Sequence, residues 1–203
     1  LAKAVMLGFI TVLVSMVAGK AAASPSVQKH HTTSEMLKTK QFYLVTISMM
    51  CLLSAYFILN PLFKDLGKLR VLSETMATLG VMITGIASAS GRMLFSWASD
   101  AIGRKQAILT IVIVTLCAVL GLIWARGVLF LVCIAAIACA FGGSAGVYPA
   151  ITADNFGTKH MGFNYGCVMV GFGVSALLFP LLSNALVVKK AAAGGAMDFD
   201  YTW

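Results

Sequence analysis

Acid is the scarcest chemistry in this chain. Seven Asp and Glu stand against fifteen Lys and Arg, and charged residues of both signs make up only 11% of the sequence. A soluble domain carries about 25% charged residues, so this polypeptide lacks the polar surface that would keep it dissolved. No carboxylate falls in the middle of an apolar run, since Asp65, Glu74, Asp100 and Asp154 all sit at run ends or between runs. That excludes a buried carboxylate pair, and it removes the intramembrane acid with which many carriers relay protons. Exchange, in which substrate charge sets the coupling, fits this lack better. There is also no H-E-x-x-H, and the three histidines lie outside the apolar runs, which argues against an intramembrane enzyme. The chain is not read as an enzyme.

Ligating chemistry is equally sparse. Cys51, Cys117, Cys133, Cys139 and Cys167 fall inside apolar runs without C-x-x-C spacing or neighbouring histidines. This excludes a zinc site and a disulfide framework, and the cysteines read as small packing residues. His30 and His31 are adjacent, so their side chains do not converge on one ion. Neither a metal nor a cofactor is expected. The net charge of +8 raises the question of nucleic acid, but the basic residues stand singly or in pairs between apolar runs. A contiguous basic stripe is missing. These residues read as flanks facing lipid headgroups, and no nucleic-acid partner is expected.

What is abundant is apolar sequence, at 60% of residues and a mean hydropathy of +0.92. Crossing a bilayer takes roughly 20 apolar residues, and the runs predict five full spans at about 42–60, 74–97, 106–124, 128–148 and 163–188. The shorter run 4–18 predicts the end of a further span. A rival reading takes it as a secretory signal, from Lys3 and the small run Ala21-Ala22-Ala23. Residues 19–41 read as a solvated linker, 62–73 and 149–162 as loops, and 191–203 as the truncated start of a last helix. With Leu1 in first place, the chain reads as a piece of a longer polypeptide. The expected fold is all-α, a polytopic transmembrane helix bundle. The three residues 125–127 make the third and fourth spans antiparallel neighbours, and Pro180 predicts a bend. Gly142-x-x-x-Gly146 and Gly162-x-x-x-Gly166 predict close helix approaches. Tyr148, Tyr165 and Phe172 fit either a cavity wall or helix packing. Assigning alternate loops to opposite sides puts eight basic residues on one face and seven on the other, so orientation does not follow from charge.

Three basic residues and one acid link two apolar runs in Gly91-Arg92-Met93-Leu94-Phe95-Ser96-Trp97-Ala98-Ser99-Asp100-Ala101-Ile102-Gly103-Arg104-Lys105. This stretch resembles the Gly-Arg…Ser-Asp-x-x-Gly-Arg-Lys loop signature of the major facilitator superfamily of secondary transporters. Three further stretches, Ser34 to Phe42, Tyr148-Pro149-Ala150-Ile151-Thr152-Ala153-Asp154-Asn155-Phe156-Gly157-Thr158 and Asn164-Tyr165-Gly166, look like the oxalate:formate antiporter family within it. They match its carboxy-terminal half, so run 4–18 would be the end of central helix six.

The resemblance implies half of a twelve-helix carrier in the plasma membrane, working by alternating access with the signature loop cytoplasmic. Gly91, Asp100, Gly103, Arg104 and Lys105 would be gate structure. About 12 Å before Asp100, Arg92 reads by position either as an arginine snorkelling to the headgroups or as an anion ligand facing a cavity. It matches an arginine that binds the substrate carboxylate in the family, and a guanidinium's planar donors suit that task. Tyr165 and Phe172 complete the expected substrate site. Phe172 departs from the family, which has a lysine there, so one cation remains where the family has two. That favours a monocarboxylate over dianionic oxalate, because an unpaired charge out of water is costly. The implied partners are a small organic anion, the lipid bilayer and an amino-terminal half. Another superfamily member, such as a proton-coupled monocarboxylate or sugar carrier, is the alternative.

Overall fold

The computed structural model describes residues 31–60 and 74–192. The partial span expected at 4–18, His30 and most of the linker, the loop 62–73, and the tail from 193 onward lie outside the described residues. Among the described residues the protein is all-α, with six helices and no strand. They are α1 (Thr33–Leu37), α2 (Lys40–Leu59), α3 (Glu74–Ile102), α4 (Arg104–Trp124), α5 (Val128–Phe156) and α6 (Met161–Ala192). All but α1 are long and apolar enough to cross a membrane.

Local chemistry explains several ends. The Thr32 N–H donates to Glu35 Oε2 at 3.0 Å and opens α1, the reciprocal half of a capping box. Thr39 Oγ1 accepts from the Phe42 N–H at 3.4 Å and opens α2. α2 closes on Asn60, which keeps helical geometry and donates its N–H to the Tyr56 carbonyl. Gly103 is the whole connection between α3 and α4, with φ of +93°. Glycine reaches that conformation without a steric penalty.

The helices outrun the spans read from apolar runs, and the reason is the same throughout. A 29-residue helix such as α3 is roughly 43 Å long at 1.5 Å per residue, against a hydrocarbon core of about 30 Å. Its ends project into the headgroup layer, where polar side chains are tolerated. The expected signature loop is therefore helix on both sides of Gly103. The expected loop 149–162 shrinks to Gly157–His160, because α5 continues through Pro149 to Phe156. Residues 33–41, expected as solvated linker, contain α1 and the start of α2, and Met36 is fully buried.

α5 is the hub of the bundle. It touches α2, α3, α4 and α6, and its pairing with α3 is the most extensive in the protein. Val45, Met49, Leu53, Ile108, Ile111, Ile137 and Ile151 fill the core around it. The α3–α5 crossing is made by glycine: a β-carbon at Gly91 would collide with the Cys139 carbonyl, and one at Gly142 with the Ser88 carbonyl. The expectation for Gly142 and Gly146 thus describes a real close approach. Gly162 and Gly166 do not behave so, since a β-carbon at either would meet no described atom within 4 Å. In α6 the close approach is made instead by Gly171, against Thr46 of α2. Tyr148 is 1% exposed and shares a 2.7 Å hydroxyl hydrogen bond with Ser48, so it is a packing residue between α5 and α2.

Candidate functional site

An open groove of about 580 Å³ runs along α3 and the end of α2. Thr84, Ser88 and Arg92 recur every fourth residue and so share one face of α3. Together with Tyr56 and Asn60 of α2 they line the groove. Arg92 lies ten residues before the end of α3, or about 15 Å along the axis, which is deep inside a membrane-crossing helix. Among the described residues its guanidinium has no hydrogen bond or ion pair. α5 fixes this turn of α3 from behind, because a β-carbon at Gly146 would lie 3.0 Å from the Arg92 carbonyl oxygen.

The other two expected substrate ligands do not line this groove. Tyr165 is half-buried and packs against the core cluster. Phe172 stands behind the groove in an aromatic cluster, with its ring 5.4 Å from Phe57 and 6.3 Å from Phe141. Phe141 in turn stacks on Tyr56 at 4.0 Å between centroids, with 17° between the planes. Tyr56, Asn60, Thr84 and Ser88 were not anticipated as lining. The four-residue recurrence ending at Arg92 was the available signal for Thr84 and Ser88. Nothing local marked Tyr56 or Asn60.

At the other end of α3, Arg104 gathers three helices. Its Nη1 donates to Ser99 Oγ at 2.9 Å and pairs with Asp100, while Nε donates to Asp154 Oδ2 at 2.9 Å. The cluster joins the end of α3, the start of α4 and the end of α5. Gly91 lies elsewhere, in the α3–α5 crossing, and Lys105 is exposed outside the cluster. Asp154 was singled out only as part of a sequence stretch. Its partner lies fifty residues away, so no local spacing marked it as a gate residue.

A third group secures α1 beneath α5 and α6. Buried Asn164 accepts from the Thr33 hydroxyl at 2.9 Å and donates to the His31 carbonyl at 3.3 Å. The His31 N–H donates to the Phe156 carbonyl at 3.0 Å. Glu35 is held below the usual carboxylate range, first by the Thr32 N–H and then by the Thr32 side chain, with smaller help from the charges of His31 and Lys38.

Comparison with known proteins is consistent with this architecture. The Major Facilitator Superfamily profile matches residues 42–191. An uncharacterized MFS-type transporter, YhjX of Escherichia coli (strain K12), is 29% identical over 156 residues, which cover 74% of this chain and 38% of that protein. The oxalate:formate antiporter of Oxalobacter formigenes is 25% identical over 170 residues, covering 79% of this chain and 41% of the antiporter. The matches thus take in about two fifths of each relative's length. No solved structure matches significantly.

Proposed function

The chain belongs to the Major Facilitator Superfamily, hence to integral membrane transporters, and on that premise we propose that it forms the carboxy-terminal half of a small-organic-anion carrier. Binding takes place between the halves near the midplane, and rocking of one half against the other exposes the site to each side in turn. The amino-terminal half supplies the facing wall, and the carrier resides in the plasma membrane.

One observation carries the reading: a guanidinium without a counter-ion among the described residues lines a groove about 15 Å from the end of its helix. A cation so placed is expensive unless it pairs, and a transported carboxylate is a partner that comes and goes. The resemblance to an oxalate:formate antiporter supports exchange of carboxylates. With Phe172 packed among aromatic rings, no second cation comes from that position, which favours monoanions. Arg104, Asp100 and Asp154 act as the gate, tying the ends of three helices in one conformation of the cycle.

The test is uptake of labelled formate, acetate and oxalate by the whole carrier in proteoliposomes. Arg92→Gln is expected to abolish anion uptake with insertion unchanged. Normal uptake by that variant would remove Arg92 from the site.

A further inference from the structure

We infer that Tyr56, braced by Phe141, is a specificity-determining residue that selects monocarboxylates with an apolar, preferably planar, body over small dianions. This rests on Arg92 as the anion ligand and adds what the rest of the substrate meets. Tyr56 and Arg92 line the same groove from facing helices, so a ligand whose carboxylate reaches Arg92 presents its body towards α2. There it meets a ring that cannot swing away. Phe141 is stacked on it nearly parallel at 4.0 Å, and Phe57 closes edge-on against both rings, at 5.9 Å from Tyr56 and 5.7 Å from Phe141. Phe172 packs edge-on against Phe57 and completes the brace. A held ring loses little entropy when a ligand docks on it.

Ser88 and Asn60 add polar groups to the lining, while three other lining residues discriminate in the same direction as the ring. Val81 and Met93 add apolar surface. The Thr84 hydroxyl donates to its own helix, to the Val81 carbonyl at 2.6 Å. It can offer only lone pairs to a ligand, and these repel a second carboxylate. One cation, an aromatic plate and an acceptor together complement an amphipathic monoanion. Oxalate would bring a second charge to a wall that has no donor for it from Thr84, and desolvating that charge is costly. The groove's 580 Å³ lies within the range of ligand pockets, about 300–1,000 Å³, so volume leaves room for a ring.

The experiment measures uptake of labelled acetate and labelled benzoate by the whole carrier in proteoliposomes, with oxalate as competitor. The wild type is expected to show a KM for benzoate roughly five- to tenfold below that for acetate, the size of an aromatic pair interaction, and weak inhibition by oxalate. Tyr56→Ala should bring the KM ratio close to one, and Tyr56→Phe should keep the ratio. If Tyr56→Ala does not insert, Tyr56→Leu fills the volume without a π face and carries the same test. An unchanged ratio, or oxalate outcompeting both monoanions, overturns the assignment. Loss of acetate uptake in Arg92→Gln alongside an unchanged ratio in Tyr56→Ala would sink the role of Tyr56 alone. Full acetate uptake in Arg92→Gln would sink the underlying anion site.

Discussion

Gly91 of α3 and Cys139 of α5 meet backbone to backbone, with no room for a β-carbon between them. This contact sets the distance between the two most extensively paired helices, one residue from Arg92. Gly91→Ala is therefore expected to wedge α3 from α5, at a cost of about 1–3 kcal/mol typical of overpacking, and to move the guanidinium. Thermal unfolding in detergent should register the loss. Gly166→Ala is the control: its β-carbon would enter open space, and the change should be neutral or stabilising by up to about 1 kcal/mol. Equal melting temperatures for the two variants would show that the crossing yields without cost.

Much of this was legible in the sequence because bilayer crossing imposes a coarse rule. Five apolar runs became five long helices, and the Gly142–Gly146 spacing became a true close approach. Helix ends were not legible, since apolar runs report hydrocarbon thickness while α3 and α5 continue into the headgroup layer. Pro149 read as a loop start, yet the helix passes through it; neighbouring helices in a membrane protein can re-satisfy what proline frees. The site was half legible. Arg92 stood out as charge in an apolar run, whereas its neighbours Tyr56 and Asn60 come from another helix with no local signal. Gly162 and Gly166 repeat the spacing of Gly142 and Gly146 without the packing, because spacing says which residues share a face but not what that face meets.

The Arg104–Asp154 bond at 2.9 Å is expected to matter more for the cycle than for stability. Asp154 is half exposed, and exposed pairs contribute about 0–1 kcal/mol. Asp154→Asn should lower the melting temperature only slightly. It should change the exchange rate several-fold, because in the proposed gate the bond ties the start of α4 to the end of α5 in one conformation of the cycle. Parallel measurement of unfolding and of acetate exchange checks this. A large fall in stability with an unchanged exchange rate would make the bond purely structural.

Glu35 gives a pH dependence with a definite sign. Its folded pKa lies below the unfolded value because the ionised form accepts from Thr32. The cap therefore contributes fully above the unfolded value of about 4.3, and it is lost as pH falls through the lower folded value. Amide exchange in α1, corrected for intrinsic rates, should show constant protection from neutral pH down to about 5. Protection should then decline below about 4. Glu35→Gln should remove that step. A decline that persists unchanged in Glu35→Gln would remove Glu35 as its source.

Asn164 is expected to decide whether α1 stays docked. It is fully buried and bridges Thr33 and the His31 backbone with an acceptor and a donor. Asn164→Ala leaves both partners unsatisfied at a part-buried site, which costs about 1–3 kcal/mol for each stranded group. The remaining hold on residues 31–37 among the described residues includes the His31–Phe156 backbone bond, the edge-on contact of those two rings and the buried Met36 side chain. That is little to keep five helical residues in place against conformational entropy of about 1 kcal/mol or more per residue. Lys38 and Lys40 are already exposed, but undocking should free the backbone around them to fit a protease, so trypsin should cut there severalfold faster in Asn164→Ala than in the wild type, while the spans stay protected. Asn164→Asp keeps the acceptor for Thr33 and loses the donor to His31, so its cleavage rate should fall between the two. Identical rates in all three proteins would mean that Met36 alone anchors the segment, and the polar bridge would then have no part in holding it.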